Sequence, residues 1–390
     1  MADGLASPRR LKILHVLHAF SAGGLENGVV NIINGSPEHL THELCFLTQG
    51  GDFLSRLNRP VRTHEMHKRP GNDPALVWKI QRLIRKSQAD IVHTRNWASF
   101  DGVLAACVTP GVRLIHGEHG RDIADPQGLN RKRNMLRRFF RFRVSRYVAV
   151  SADLHRWLHE TVRIPVRKLV CIPNGVDSDR FQPVQNSALR KELGIGNHEF
   201  VVGTIGRLDP VKNHLGLIQA VEQLNRSGAP VRLIIVGDGP ERRNLEERVG
   251  RCQSEPRPIL AGYRSDVAAF YGVFDAFALN SHAEGMSNTL LEAMSSGLAV
   301  VCTAVGGNVE LVLDGVRGST IPANDDDALI RRIQDYRLSS HLRLEHGRNA
   351  REFIQRQFSL KAMIQNYLEL YQSTPGSTRE GSRFHFAVSQ

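Results

Sequence analysis

The chain has 390 residues, 41% of them hydrophobic and 23% charged, which suits a globular protein with material for two cores and argues against a disordered or fibrous one. No apolar run approaches the roughly 20 residues needed to cross a bilayer, Met1–Arg10 is too polar for a secretory leader, and five scattered cysteines (Cys45, Cys107, Cys171, Cys252, Cys302) without a CxxC pair argue for reduced thiols in a cytoplasmic setting. A formal net charge of +12 favours acidic partners, whether phosphorylated substrates, anionic lipid or nucleic acid.

In chain order, Leu11–Leu17 is apolar and β-prone, the run Ser21-Ala22-Gly23-Gly24 turns, and a helix is expected over Leu25–Asn34. Strand, glycine loop and helix open an α/β unit. Further strands are expected at Glu43–Leu47, Ile91–His93, Val112–His116 and Tyr147–Val150, with helices at Pro74–Ser87 and Asp101–Val108 between them. The alternation breaks at Ile172-Pro173-Asn174-Gly175-Val176-Asp177 and restarts at Phe200–Ile205. Strands at Val231–Val236, Pro258–Ala261, Ala276–Leu279 and Ala299–Cys302 follow, separated by helices at Leu215–Asn225, Pro240–Val249, Ser265–Tyr271 and Asn288–Ser296. Two α/β domains are expected, over 11–180 and 181–357. A last amphipathic helix within 358–372 is expected to pack back on the first domain, and the polar tail 373–390 to be disordered.

In an open parallel sheet, ligands bind beyond the carboxyl ends of the strands. Arg207 and Lys212 flank the loop after Phe200–Ile205 and could reach a diphosphate as a planar fork and a point charge, although two loop cations can also be merely solvated. Gly237-Asp238-Gly239-Pro240 resembles the start of a dinucleotide fingerprint but has Arg242 where a third glycine belongs, which speaks against NAD or FAD. The richest segment is Glu284-Gly285-Met286-Ser287-Asn288 through Glu292. With Ser287 or Asn288 as N-cap, Glu284 precedes a helix and Glu292 lies about one turn inside it, so two carboxylates flank a positive pole.

His116-Gly117-Glu118-His119 ends a strand of the first half. Its HxxH spacing could suggest a metal, but no further ligands stand at recognisable spacing, and a hydrogen-bonding or purely structural histidine is the alternative. Asp177-Ser178-Asp179 follows an Asn-Gly turn and is read as turn-capping. The stretch Arg131–Arg146 holds eight cations and no acid, with Met135, Leu136, Phe139, Phe140 and Phe142 at roughly helical spacing. A basic amphipathic helix docking on anionic membrane through Arg137, Arg138, Phe139, Phe140 and Arg141 is one reading. An ordinary core helix is the other, and no nucleic-acid motif accompanies the charge.

Together these segments resemble the retaining glycosyltransferase family 4. The resemblance is carried by Gly23-Gly24-Leu25-Glu26, His116-Gly117, Val150-Ser151, Pro173-Asn174-Gly175-Val176-Asp177, Gly206-Arg207-Leu208, Lys212, Val236-Gly237-Asp238-Gly239-Pro240, Gly262-Tyr263, the E-x7-E pair Glu284/Glu292, and Val305-Gly306-Gly307-Asn308-Val309-Glu310. It implies the GT-B fold, two Rossmann-like doubly wound parallel-sheet domains facing across a cleft. It also implies transfer of a sugar from a nucleoside diphosphate sugar to a glycan or lipid-linked hydroxyl in cell-surface polysaccharide synthesis, with retention and with neither metal nor cofactor. The donor would be a UDP-sugar ahead of a GDP-sugar. By the same resemblance Arg207 and Lys212 hold the diphosphate, Glu292 the ribose, and Glu284 with the amides of Met286, Ser287 and Asn288 the sugar. His116 meets the sugar near the reacting carbon, and Gly23, Gly24, Gly206, Gly237, Gly239 and Gly285 line the donor. The loop lacks the aromatic residue many relatives carry after Gly285, which leaves the sugar open. A sugar-nucleotide epimerase or hydrolase, and a non-catalytic nucleotide binder, are the competing readings.

Overall fold

β-Branched and leucine-rich runs bounded by glycine and proline turns become central strands, and the amphipathic segments between them become covering helices. The computed structural model describes residues 10–373 except Ala22, Asn72, Ile123, Ala124 and Asn197. The expected disorder of the tail therefore falls, Ser373 apart, outside the described residues. The chain divides into two units, Met1–Pro173 with Ile364–Gln390 and Asn174–Met363.

In the first unit the described strands are β1 (Leu11–Leu17), β2 (Leu40–Phe46), β3 (Arg62–Glu65), β4 (Ile91–Arg95), β5 (Arg113–Glu118), β6 (Val144–Ala149) and β7 (Leu169–Cys171). They form one parallel sheet in the order β3-β2-β1-β4-β5-β6-β7. The helices between them are α1 (Gly24–Asn34), α2 (Pro74–Ser87), α3 (Phe100–Cys107), α4 (Arg131–Phe140) and α5 (Ala152–Glu160). Leu17, Phe20, Val29, Val30, Ile33, Leu44 and Phe46 build one apolar core where α1 covers the sheet.

The second unit repeats the scheme with β8 (Phe200–Ile205), β9 (Val231–Val236), β10 (Ile259–Gly262), β11 (Ala276–Leu279), β12 (Ala299–Thr303) and β13 (Ser319–Ile321), again parallel, in the order β10-β9-β8-β11-β12-β13. Its helices are α6 (Ser187–Glu192), α7 (His214–Arg226), α8 (Arg242–Gly250), α9 (Val267–Tyr271), α10 (Asn288–Ser295), α11 (Asn308–Leu311), α12 (Asp326–Leu338) and α13 (Ser340–Gln357), and α14 (Leu360–Gln372) ends the described chain. In α14, Tyr367 and Tyr371 are buried in the first unit against the His93 ring. Arg113 donates to the carbonyls of Leu370 and Tyr371 at 2.7 and 3.0 Å, satisfying the open end of that helix.

One segment departs from expectation. Helix α4 stops at Phe140, and the basic stretch continues through a turn into β6, because Val144 and Tyr147 enter the sheet.

Candidate active site

In the second sheet the chain winds outward from β8 in one direction and from β11 in the other, so the β8 and β11 ends form a topological switch point. The loops leaving those two strands carry Lys212 and Glu284. Lys212 Nζ donates to Glu284 Oε1 at 2.6 Å, and Ser281 Oγ donates to the same oxygen at 2.7 Å. The backbone ties the loops together as well, since His282 N donates to Val211 O at 2.7 Å. Asp209 caps the short turn that presents Lys212, and Asn213, at φ 48°, caps α7 behind it. Arg207 stands at the loop's edge with its side chain 60% exposed and Asp209 3.9 Å away.

Two glycines near this point are dictated by neighbouring backbone. Gly237 has φ 143°, and a Cβ there would overlap the Gly206 carbonyl; this brings the Gly237–Gly239 loop onto the Arg207 loop, with Leu208 N donating to Asp238 O at 2.9 Å. Gly306, at φ 52°, lies under Glu284, whose carbonyl a Cβ would overlap. The sequence expectation put Gly237 and Gly239 at the donor, and in the structure both also have a packing reason, with a Cβ at Gly239 overlapping the Leu208 carbonyl. Around Gly206 a Cβ would meet only Lys212 Cε at 3.9 Å, so the space beside it is open, whereas at Gly23 a Cβ would overlap the Glu26 carboxylate.

Helix α10 begins where Ser287 Oγ accepts from Leu290 N at 3.3 Å, which makes Ser287 the N-cap. Gly285, Met286 and Ser287 are buried, and Asn174 Nδ2 donates to Met286 O at 3.1 Å, fixing the entry to the helix. Glu292 is half-buried, and Tyr271 Oη donates to its Oε2 at 2.8 Å. Tyr271 carried no sequence signal beyond its apolar neighbours. Asp177 Oδ1 accepts from the amides of Asp179 and Arg180 at 3.1 Å each, a turn cap.

The first unit requires a correction. His116 is 0% exposed; its Nδ1 lies 2.7 Å from Thr94 Oγ1 and its Nε2 3.3 Å from Glu118 Oε1, so both ring nitrogens are engaged inside the fold and neither can meet a sugar. Burial opposes charge on Glu118, but Arg137 and His116 outweigh it and bring its carboxyl down to about 2. Strand alternation turns His116 and Glu118 to one face, and Gly117 and His119 to the other. His119 stands just beyond the carboxyl end of β5, half-buried, its amide donating to Asn96 Oδ1 at 2.7 Å and its Nε2 without a partner among the described residues. Burial, then Arg95, holds it down to about 3. Next to it a polar layer interrupts the apolar sheet. His15 Nε2 is 2.9 Å from His42 Nδ1, and Arg95 reaches His15 and His93 at 3.1 and 3.2 Å. Tyr371 Oη sits 2.9 Å from His93 Nδ1. Among the described residues no group of three or more His, Cys, Asp or Glu is placed to hold a metal ion.

Helix α4 is built inside out. Its buried side chains are Asn134 and Arg137, the latter 4% exposed, ion-paired with Glu118 at 2.7 Å and held between the rings of Trp97 and Trp157 at 5.1 and 5.0 Å. Met135, Leu136, Phe139 and, past the helix, Phe142 face outward, with Phe139 70% and Phe142 76% exposed. Of the expected docking residues, Arg137 is therefore removed. Phe140 packs on Phe100 at 6.0 Å, Arg138 and Arg141 donate to the Val162 and Arg163 carbonyls, and Phe139 remains outward.

Two parallel α/β units, the second with a cation and two carboxylates at its switch point, define a GT-B glycosyltransferase. The family model described as Glycosyl transferases group 1 matches residues 185–353, and that described as Glycosyltransferase Family 4 matches residues 22–180. The chain belongs to glycosyltransferase family 4 and is a glycosyltransferase. It is 26% identical over 354 residues to the N-acetyl-alpha-D-glucosaminyl L-malate synthase of Bacillus anthracis, covering 85% of this chain and 89% of that protein. It is 28% identical over 305 residues to the UDP-Gal:alpha-D-GlcNAc-diphosphoundecaprenol alpha-1,3-galactosyltransferase of Escherichia coli, covering 75% and 77%. Among solved structures, Anabaena Alr3699/HepE in complex with UDP and glucose shares the fold at a TM-score of 0.80 and 23% identity, covering 93% of this chain and 100% of that one.

Proposed function

We propose that this glycosyltransferase moves a sugar from a nucleoside diphosphate sugar to a hydroxyl of a glycan or lipid-linked acceptor in surface polysaccharide synthesis, with retention at the anomeric carbon. The observation that carries this reading is the Lys212–Glu284 pair at the β8/β11 switch point, at the entry to α10. Arg207 and Lys212 take the diphosphate, whose growing negative charge as the bond breaks needs cations or dipoles. Glu292 takes the ribose hydroxyls, and Glu284 with the amides of Met286 to Asn288 takes the sugar. With those charge sources in the chain, the reading calls for neither metal nor cofactor. An epimerase or hydrolase would need an acid/base set that the donor residues do not form, and a non-catalytic binder would not be expected to keep Arg207, Lys212, Glu284 and Glu292 together.

UDP stands ahead of GDP as the nucleotide: the E. coli relative is named for UDP-Gal, and the Anabaena structure holds UDP and glucose. A thermal-shift and calorimetric screen of UDP, GDP, ADP and their sugars tests this, because a ligand that binds only the native state raises its stability. Stabilisation by one nucleoside diphosphate, lost in Lys212→Ala, is the expected result; a chain indifferent to all of them would overturn the reading.

The acceptor side extends to a peripheral position on the cytoplasmic face of a membrane. No described helix is long and apolar enough to cross one. Outward Met135, Phe139 and Phe142, ringed by exposed Arg131, Lys132, Arg138 and Arg143, suit the boundary between acyl chains and anionic headgroups. Co-sedimentation with vesicles containing anionic lipid should exceed that with neutral vesicles and drop in Phe139→Ser/Phe142→Ser. Equal recovery would remove the membrane claim.

A further inference from the structure

The buried phenol beside Glu292 has a cost that the fold alone does not explain. Tyr271 is 1% exposed, its ring packed on Phe181, Phe274 and Phe277 with centroids 5.7, 6.1 and 5.9 Å away. A phenylalanine would fill that pocket without a polar atom to satisfy. Instead the hydroxyl lies within reach of two acceptors on α10, Glu292 Oε2 at 2.8 Å and the Thr289 carbonyl at 3.1 Å. It has one proton, and a carboxylate competes for it better than a carbonyl. Burial, reinforced by the neighbouring Glu292 charge, raises its pKa well above the ordinary phenol value, so it remains a donor throughout the physiological range.

We propose that Tyr271 is a positioning residue that locks the Glu292 carboxylate for the ribose of the nucleotide. A half-buried glutamate near a helix start samples several rotamers, and ordering it on binding costs affinity. The hydrogen bond from a residue in a separate helix, α9, settles that order before the ligand arrives. The phenol ties the carboxylate to α9, so the ribose contact is held by two helices rather than one. This inference rests on the donor reading of Glu292 given above.

The test measures, by calorimetry, the affinity of UDP, GDP and ADP and of their 2′,3′-dideoxy analogues for wild type, Tyr271→Phe, Glu292→Gln and the double variant. Wild type should prefer the ribo form. Tyr271→Phe should bind the ribo form about three- to tenfold more weakly and leave the dideoxy form unchanged, the scale of one ordinary hydrogen bond's net contribution. In the Glu292→Gln background, Tyr271→Phe should add little. In turnover, Tyr271→Phe should raise the donor KM with kcat nearly kept. A Tyr271→Phe protein that keeps the full ribo preference, or that loses affinity for both forms alike, overturns the positioning role. A wild type indifferent to the ribose hydroxyls overturns the assignment of Glu292 itself, and the Tyr271 role with it, a result distinguishable from the first two because it appears before any substitution. Should Tyr271→Phe fail to fold, Tyr271→Leu takes its place in the same cycle, with the same loss confined to the ribo form expected and an unchanged ribo preference overturning the role.

Discussion

Lys212 Nζ and Glu284 Oε1 lie 2.6 Å apart, so the cation proposed for the diphosphate and the carboxylate proposed for the sugar neutralise each other before any donor arrives. A bound diphosphate competes with Glu284 for that ammonium. Removing the carboxylate's charge in Glu284→Gln should therefore tighten UDP binding severalfold while transfer falls about 10²-fold or more. Parallel calorimetry and turnover assays check this; weaker binding of the free nucleotide by the variant would contradict the competition.

Lys212→Ala and Glu292→Ala should each abolish transfer with the fold intact. Both side chains are half-buried at loop and helix edges rather than in the core. Purified variants with native circular dichroism and no product formation are the expected outcome, and unchanged turnover in either would sink the assignment.

Gly306→Ala should act on the site without touching a proposed ligand group. The added methyl has φ 52° to contend with and meets the Glu284 carbonyl, so the Glu284 loop must shift. A misplacement of that kind can cost about 10²-fold in rate. Activity equal to wild type would show that the loop tolerates displacement.

Arg137→Ala should destabilise the first unit by about 3–5 kcal/mol, because it leaves Glu118 charged and buried without its partner. Phe139→Ser, on the opposite face of the same helix, should leave stability unchanged. Denaturant titration of both variants checks the contrast, and equal effects would refute the inside-out reading of α4.

Acid should loosen the first unit. Burial, then Arg95, holds His15 and His93 well below the ordinary imidazole value, and burial, then Arg59 and Arg95, holds His42 down to about 3. Their folded pKa values lie below that of the unfolded chain, about 6.5. The native state is thus favoured above pH 6.5 and loses up to about 1.4 kcal/mol per pH unit for each histidine as the pH falls below it. Hydrogen exchange of β1, β2 and β4 at pH 7.5 and 5.5 should show the loss, and equal protection at both would refute it.

The sequence made the two-unit α/β plan legible because the central strands are apolar and the glycine loops are short. It missed β3, whose Arg62-Thr63-His64-Glu65 is a polar edge strand with no alternation to read, and it left α12 and α13 unread, whose polar faces mask the period. The loop holding Glu284 was readable from its N-cap serine and flanking carboxylates. His116 was misjudged by one turn of strand alternation, since a histidine's type says nothing about which face it occupies. Arg137 was misjudged for a related reason: a cation in a basic run looks solvated until its acid, 19 residues away in sequence, is seen beside it. Tyr271 belongs to a pair 21 residues apart that only the fold brings together.

The residues proposed for the diphosphate, the ribose and the sugar, from Arg207 to Glu292, all belong to the unit Asn174–Met363. The proposed recognition of the incoming building block is thereby confined to one compact unit. A change of donor could then be sought by substitutions within that unit alone, leaving the strands of the first sheet untouched.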